Sequence, residues 1–396
     1  MLDRVRTLGY MSTMDTAEPR EATKSKPTVL VVDDEAGPRD ALKVILRPFF
    51  NIRSAENAKA ALEVLSEQPI DIITLDQKLP DRQGMDLLQD IKHDFADIEV
   101  IIITGYGSLK SAMEGIRHGA AGYLLKPFNV TELITLINQT LEKKQRLDFI
   151  RQFLQSSPEL WGSEEDSTRA WQALKAGYFA IGRNSHGGTA PHQEDQDLLP
   201  LLSDILEAKD RQLLNHSSRV SFYATLMANR LNLTIAEQKS LAMGAFLHDF
   251  GKISLPSYRF SDDQILPSGE AASCKEHPDR GARMILPLGL PAEVGQIVSY
   301  HHERWDGQGY PHGLQGEGIP LLARIVCIAQ AFDHLTAETP GRSPLSIDDA
   351  MRQISLQAHT HFDPMLADLF VRVVDECKAS LPAMAIATAP NPVREP

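Results

Sequence analysis

Five histidines and one aspartate in the second half of this 396-residue chain stand where helical spacing turns them inward. Along Asp210–Leu231, the residues Leu213, His216, Val220, Tyr223 and Met227 share one face at three- and four-residue steps. Leu241, Ala245 and His248 do the same on the next segment, and Asp249 follows directly. Val294, Ile297, Val298, His301 and His302 close a third, and His277 lies between them in EHPDRGA. One inward histidine is more often a satisfied core residue than a ligand. Five of them with an aspartate in one small domain are another matter, because a buried polar ring without a partner costs about 1–3 kcal/mol. A metal centre removes that cost, since imidazole and carboxylate together suit Fe, Mn, Zn or similar ions.

A second constellation occupies the first half. Asp33 and Asp34 follow the apolar run Thr28–Val32, Asp76 follows Ile70–Leu75, Thr104 follows Glu99–Ile103, and Lys126 follows Ala121–Leu125. These runs are short, apolar and closed by turn residues, as buried parallel strands are. In a parallel sheet all five positions fall at the carboxyl edge, where such folds place their sites. Three gathered carboxylates call for a hard cation with open water positions, and Mg²⁺ fits. A carboxylate held there can attack a phosphoryl donor and form an acyl phosphate. Thr104 could hydrogen-bond the new phosphoryl oxygen and Lys126 could pair with its charge.

The elements that must position these groups follow from the alternation of strands and helical stretches over 27–147. It predicts a doubly wound α/β parallel five-stranded sheet of flavodoxin-like type, with the remaining strand near Asn51–Ser54. From 198 to 380 the periodicity turns helical, predicting an all-α domain. Residues 148–197, rich in Ser, Gly, Glu and Asp, are read as a helical or flexible linker with one helix near Thr168–Phe179. Residues 1–26 and 381–396 are read as disordered tails.

The net charge of −13 argues against a general nucleic-acid binder, which needs a cationic surface. It leaves room for a small phosphodiester ligand, because a local metal or lysine can override the global sign. No apolar run approaches the ~20 residues that span a bilayer. Cys274, Cys327 and Cys377 lack paired spacing, so a reducing cytoplasmic location is expected.

With those residues in view, VVDDE, LDQKLPDRQG, IIITGYG and YLLKPF, in that order, resemble the receiver domain of bacterial response regulators. The resemblance implies that Asp76 is the phosphoacceptor, that Tyr123 is the switch aromatic, and that the Lys126–Pro127 bond is cis. It further implies Mg²⁺ as cofactor and a sensor histidine kinase as partner. The second half resembles the HD-GYP branch of the HD phosphohydrolases, through HSSRV, LHDFGK, EHPDRGARMIL, HHERWDGQGYP and GIPLLARIVCIA. That resemblance implies a helical bundle around a binuclear divalent metal centre, with Fe or Mn expected, that hydrolyses cyclic di-GMP to pGpG and GMP. His216, His248, Asp249, His277, His301, His302 and position 330 would be the ligands, with Asp249 shared between the ions. Lys252 would neutralise a phosphate oxygen, and Asp306, Gly307, Gly309, Tyr310 and Pro311 would form a substrate loop, with Tyr310 against a guanine.

One segment departs from the family. Where relatives read ADxxDALTxxRxYK, this chain reads AQAFDHLTAETPGR. The ligand position is thus Gln330, a neutral amide, while Thr339 replaces the substrate-facing arginine and Gly341 the tyrosine. One ion should therefore bind more weakly, and a phosphate contact is lost. Two readings follow: a working phosphodiesterase under phosphorylation control, or a weak or silent domain serving as a ligand-binding or protein-interaction module, with diguanylate cyclase (GGDEF) proteins as expected partners. The helix after Val130 could make a homodimer or simply link the domains.

Overall fold

The computed structural model describes residues 26–105, 109–156, 161–186, 198–255, 274–338 and 342–378. Both expected tails lie almost wholly outside these residues, as do Thr339 and Gly341. The chain divides into two compact units, 1–144 and 145–396.

The first unit is a five-stranded parallel sheet, β1 (Thr28–Val32), β2 (Asn51–Ala55), β3 (Ile72–Asp76), β4 (Glu99–Thr104) and β5 (Gly122–Leu125), in the order β2-β1-β3-β4-β5. Helices α1 (Ala36–Leu46), α2 (Ala58–Glu67), α3 (Gly84–Asp94), α4 (Leu109–Arg117) and the first half of α5 (Val130–Ser156) alternate with the strands. This is the expected doubly wound fold, and it forms because the central strands are apolar on both faces. Leu30, Val32, Ile73 and Leu75 enter one buried cluster, Val29, Val31, Ile72 and Ile101 the other. The register sets Val32 beside Leu75, Asp76 beside Ile103 and Thr104 beside Leu125. Asp76 and Thr104 are therefore the last residues of their strands rather than the first residues beyond them.

The second unit is helical. Its bundle comprises α6 (Glu164–His186), α7 (Leu198–Lys209), α8 (Arg211–Ala228), α9 (Ile235–Leu247), α10 (His277–Ile285), α11 (Ala292–Tyr300), α12 (Leu321–Thr336), α13 (Ile347–Leu356) and α14 (Pro364–Cys377). A capping box between Thr234 and Glu237 starts α9, and the Asp363 side chain starts α14 by accepting from the Met365 and Leu366 amides. One finding departs from the linker expected over 148–197. Trp161, Trp171, Leu174 and Tyr178 are buried in the same cluster as Leu201, Leu247 and Phe250. The Trp171 indole donates to the Met284 carbonyl at 2.7 Å, so α6 is a member of the bundle. Among the described residues no helix is long and apolar enough to cross a membrane.

Candidate metal centre and receiver site

Three helix ends and one helix interior bring the histidines together. His216 lies within α8. His248 caps the end of α9 and His301 the end of α11. His277 opens α10, and Asp249 begins the short 3-10 turn Phe250–Ser254. That turn presses onto α10 at Gly251, where a Cβ would meet the His277 carbonyl oxygen at 2.0 Å. Only glycine permits this approach, and it is what seats Asp249 beside His277.

The donor atoms converge. Candidate ligand atoms of Asp249, His277, His301 and His302 lie within 4.8 Å of one another, and so do those of His216, His248 and Asp249. Asp249 is common to the two groups. Its Oδ1 is 3.1 Å from His277 Nε2 and 3.7 Å from His301 Nε2. Its Oδ2 is 2.9 Å from Lys252 Nζ, 3.4 Å from His248 Nε2 and 3.6 Å from His216 Nε2. Burial opposes the Asp249 charge, but the Lys252 ammonium and contacts from His248 and His277 outweigh it and hold the carboxyl well below its usual range. Burial pushes His301 down to about 3 and drives His302 well below its ordinary value, so both rings are neutral and carry a lone pair.

The protonation pattern tests whether a cation fits. His248 Nδ1 donates to the Ala245 carbonyl at 2.7 Å, and His301 Nδ1 to the Val298 carbonyl at 2.9 Å. His216 Nδ1 donates to Asp333 Oδ2 at 2.7 Å. In a neutral ring the other nitrogen then bears the lone pair. Yet His216 Nε2 faces His248 Nε2 at 3.2 Å, and His277 Nε2 faces His301 Nε2 at 3.1 Å. Imidazole nitrogens facing one another across a shared carboxylate are a donor set that a divalent ion would satisfy. The residues present fit such an ion.

Gln330 is buried on α12, and its amide nitrogen donates to the His301 carbonyl at 2.9 Å. Two further residues, Arg219 on α8 and Asp333 on α12, stand outside the expected ligand set. Both belong to this centre, since Arg219 Nε and Nη2 meet the two Asp333 oxygens at 2.5 and 2.9 Å. The signal was Arg219 three residues after His216, on one helix face.

Beside the cluster, the loop after His302 is held rigidly. The buried Glu303 carboxylate accepts from the His312 and Leu314 amides at 2.7 and 2.9 Å. Asp306 pairs with Arg304 through two bonds, at 3.0 and 2.6 Å, and accepts from the Gln308 amide. Gly307 has φ +78°, and a Cβ on Gly309 would meet the Arg304 amide nitrogen at 2.3 Å. The Tyr310–Pro311 bond is cis. The Tyr310 ring stacks on His302, with centroids 4.7 Å apart and planes 16° apart, and Lys275 Nζ lies 5.5 Å from its centre. Within the structure, its partner is thus a candidate ligand.

In the first unit the sheet edge gathers its own acidic group. Candidate ligand atoms of Asp33, Asp34 and Asp76 lie within 4.8 Å of one another. Lys126 Nζ donates to Asp33 Oδ2 at 2.7 Å and Asp76 Oδ2 at 2.5 Å. Burial opposes the Lys126 charge, but those two hydrogen bonds outweigh it and raise its pKa. The Lys126–Pro127 bond is cis. Thr104 is buried at the end of β4, and the Tyr123 hydroxyl lies 3.2 Å from Ser111 Oγ on α4.

Comparison with known proteins agrees with both units. Residues 29–138 match the family described as response regulator receiver domain, and residues 200–366 that described as HD domain. A Vibrio cholerae protein named "Probable cyclic di-GMP phosphodiesterase" is 28% identical over 365 residues, covering 88% of this chain and 78% of that one. The cyclic di-GMP phosphodiesterase of Thermotoga maritima is 27% identical over 353 residues, 88% and 91% of the two chains. The cyclic di-GMP phosphodiesterase response regulator RpfG of Xanthomonas campestris is 27% identical over 351 residues, 87% of each.

Proposed function

We propose that this chain, a response regulator receiver domain joined to an HD domain, hydrolyses cyclic di-GMP with divalent metal ions and is regulated by phosphorylation of Asp76. One observation carries the catalytic part: imidazole nitrogens from separate helices meet around the single carboxylate of Asp249. His216, His248 and Asp249 would hold one ion, with Gln330 at the family's fourth ligand position. Asp249, His277, His301 and His302 would hold the other. Bound there, the ions would supply Lewis acidity to a water and to a phosphoryl oxygen. The chain's own groups do the rest. Lys252, buried 2.9 Å from Asp249, keeps a positive charge beside the cluster where a phosphate oxygen can meet it. The rigid loop carrying Asp306, Gly307, Gly309, Tyr310 and Pro311 walls the site.

In the receiver, Asp33, Asp34 and Asp76 would hold Mg²⁺, a sensor histidine kinase would supply the phosphoryl group, Asp76 would accept it, and Thr104 and Lys126 would contact its oxygens. The relatives named as cyclic di-GMP phosphodiesterases support the substrate, and the one named as a response regulator supports the control.

The test is product formation. Purified protein with Mn²⁺ or Fe²⁺ should convert cyclic di-GMP to pGpG or GMP, and a His248→Ala/Asp249→Ala double variant should not. Equal product from both would refute the site. A second reading has its own observation, since Gln330 brings no negative charge and commits its amide nitrogen to a backbone carbonyl. On that reading the domain binds cyclic di-GMP or GGDEF proteins without turnover, and tight binding with no product would establish it.

A further inference from the structure

We infer that Asp333, clamped by Arg219, is a positioning residue that fixes His216 in the tautomer with Nδ1 protonated and so aims its Nε2 lone pair into the metal centre. The inference rests on the metal centre proposed above.

The need for such a device follows from where each histidine sits. His248 and His301 stand at helix ends, where the last carbonyls have no intrahelical partner. Each takes one of those carbonyls, Ala245 and Val298, three residues back along its own chain. His216 has no such resource. It lies in the interior of α8, whose carbonyls are spent on the helix itself. Its acceptor must come from another element, and α12 delivers Asp333, only 1% exposed.

The geometry is that of a shared oxygen. Asp333 Oδ2 accepts from His216 Nδ1 at 2.7 Å and from Arg219 Nη2 at 2.9 Å, while Oδ1 accepts from Arg219 Nε at 2.5 Å. His216 and Arg219 are one turn apart on the same helix, so both reach one carboxylate from one side. The guanidinium fork fixes the carboxylate plane. The fixed carboxylate then fixes the imidazole, whose Nε2 comes 3.2 Å from His248 Nε2 and 3.6 Å from Asp249 Oδ2. A carboxylate behind a ligating imidazole makes it a stronger donor than a carbonyl does. His216 thereby strengthens the side of the centre where Gln330 offers no charge, and Arg219 keeps the added carboxylate from standing as an unpaired buried anion.

The experiment measures metal rather than turnover. Full-length wild type, Asp333→Ala, Asp333→Asn and Arg219→Ala would be loaded with Mn²⁺, and bound metal and dissociation constants determined. Imidazole nitrogen NMR of the metal-free proteins would read the His216 tautomer. Wild type is expected to take up two ions with Nδ1 of His216 protonated. Asp333→Ala is expected to keep one ion, bind the other roughly 10–100-fold more weakly, and show mixed tautomers. Asp333→Asn should fall between, because its amide oxygen can still accept from Nδ1. Should the alanine variant not fold, the asparagine variant decides. A folded Asp333→Asn or Asp333→Ala that holds both ions at wild-type affinity would overturn the positioning role while leaving the metal centre standing. A wild type that takes up no ion would overturn both.

Discussion

The Nε2 atoms of His216 and His248 face one another at 3.2 Å, although each ring already donates its Nδ1 proton elsewhere. A cation held between two such nitrogens would be coordinated by both rings. Stability should therefore depend on metal. Mn²⁺ at a hundred times its dissociation constant should add about 2.7 kcal/mol to wild-type unfolding, and a chelator should reverse it. His248→Ala should lose most of this response, which denaturant unfolding with and without metal would reveal. An unchanged metal response in that variant would count against His248 as a ligand.

Gln330→Asp should act in opposite directions with and without ions. Without metal, a carboxylate would replace the amide donor against the His301 carbonyl, costing about 1–3 kcal/mol. With metal, the new anion should raise both bound metal and cyclic di-GMP turnover. If metal content and turnover stay flat, position 330 does not face the ions.

Asp76→Asn should abolish labelling by acetyl phosphate, because Asp76 is the carboxylate at the end of β3 whose Oδ2 Lys126 Nζ contacts at 2.5 Å, next to Asp33 and Asp34. Acid-labile label persisting in that variant would move the phosphoacceptor elsewhere.

Gly251→Ala should damage the HD unit more than a surface substitution. The new methyl would meet the His277 carbonyl oxygen at 2.0 Å and the Gly281 amide nitrogen at 2.7 Å, and backbone on both sides leaves no flexible side chain to yield. A loss of about 1–3 kcal/mol, together with reduced metal uptake, is expected in unfolding and metal assays. Wild-type values for both would show that the turn can move.

His361 gives the second unit a handle on acid. Burial lowers its pKa from 6.5 to about 4. The unfolded chain thus takes up this proton below about pH 6.5, while the folded chain resists until about pH 4. The neutral ring's contribution is complete above pH 6.5 and is lost as pH falls towards 4, by at most about 3 kcal/mol. His361→Gln should flatten stability against pH over that window. Parallel curves for the two proteins would remove His361 as the cause.

Much of this was legible before the fold was seen. β1, β3 and β4 declare themselves because strands buried on both faces read as unbroken apolar runs, and their ends then place Asp33, Asp76 and Thr104. The inward histidines were legible because each stands in a stripe of apolar residues. Asp333 was not, because its value lies in reaching His216, 117 residues away in sequence, and no local spacing encodes that. The segment around Trp171 reads as a linker because its many Ser, Gly, Glu and Asp residues mask a single buried row, Trp171, Leu174 and Tyr178. Composition averaged over that stretch reports the wet face and hides the dry one.

The Trp171 ring lies parallel to Phe250, 5.9 Å away and 14° off its plane, and Phe250 is the residue after Asp249. The family match begins only at residue 200, so a chain trimmed to that match would strip an aromatic lining from the peptide next to the shared carboxylate. What looks like dispensable upstream sequence is, on this geometry, part of the packing behind Asp249, and the smallest autonomous enzyme should start no later than Trp161.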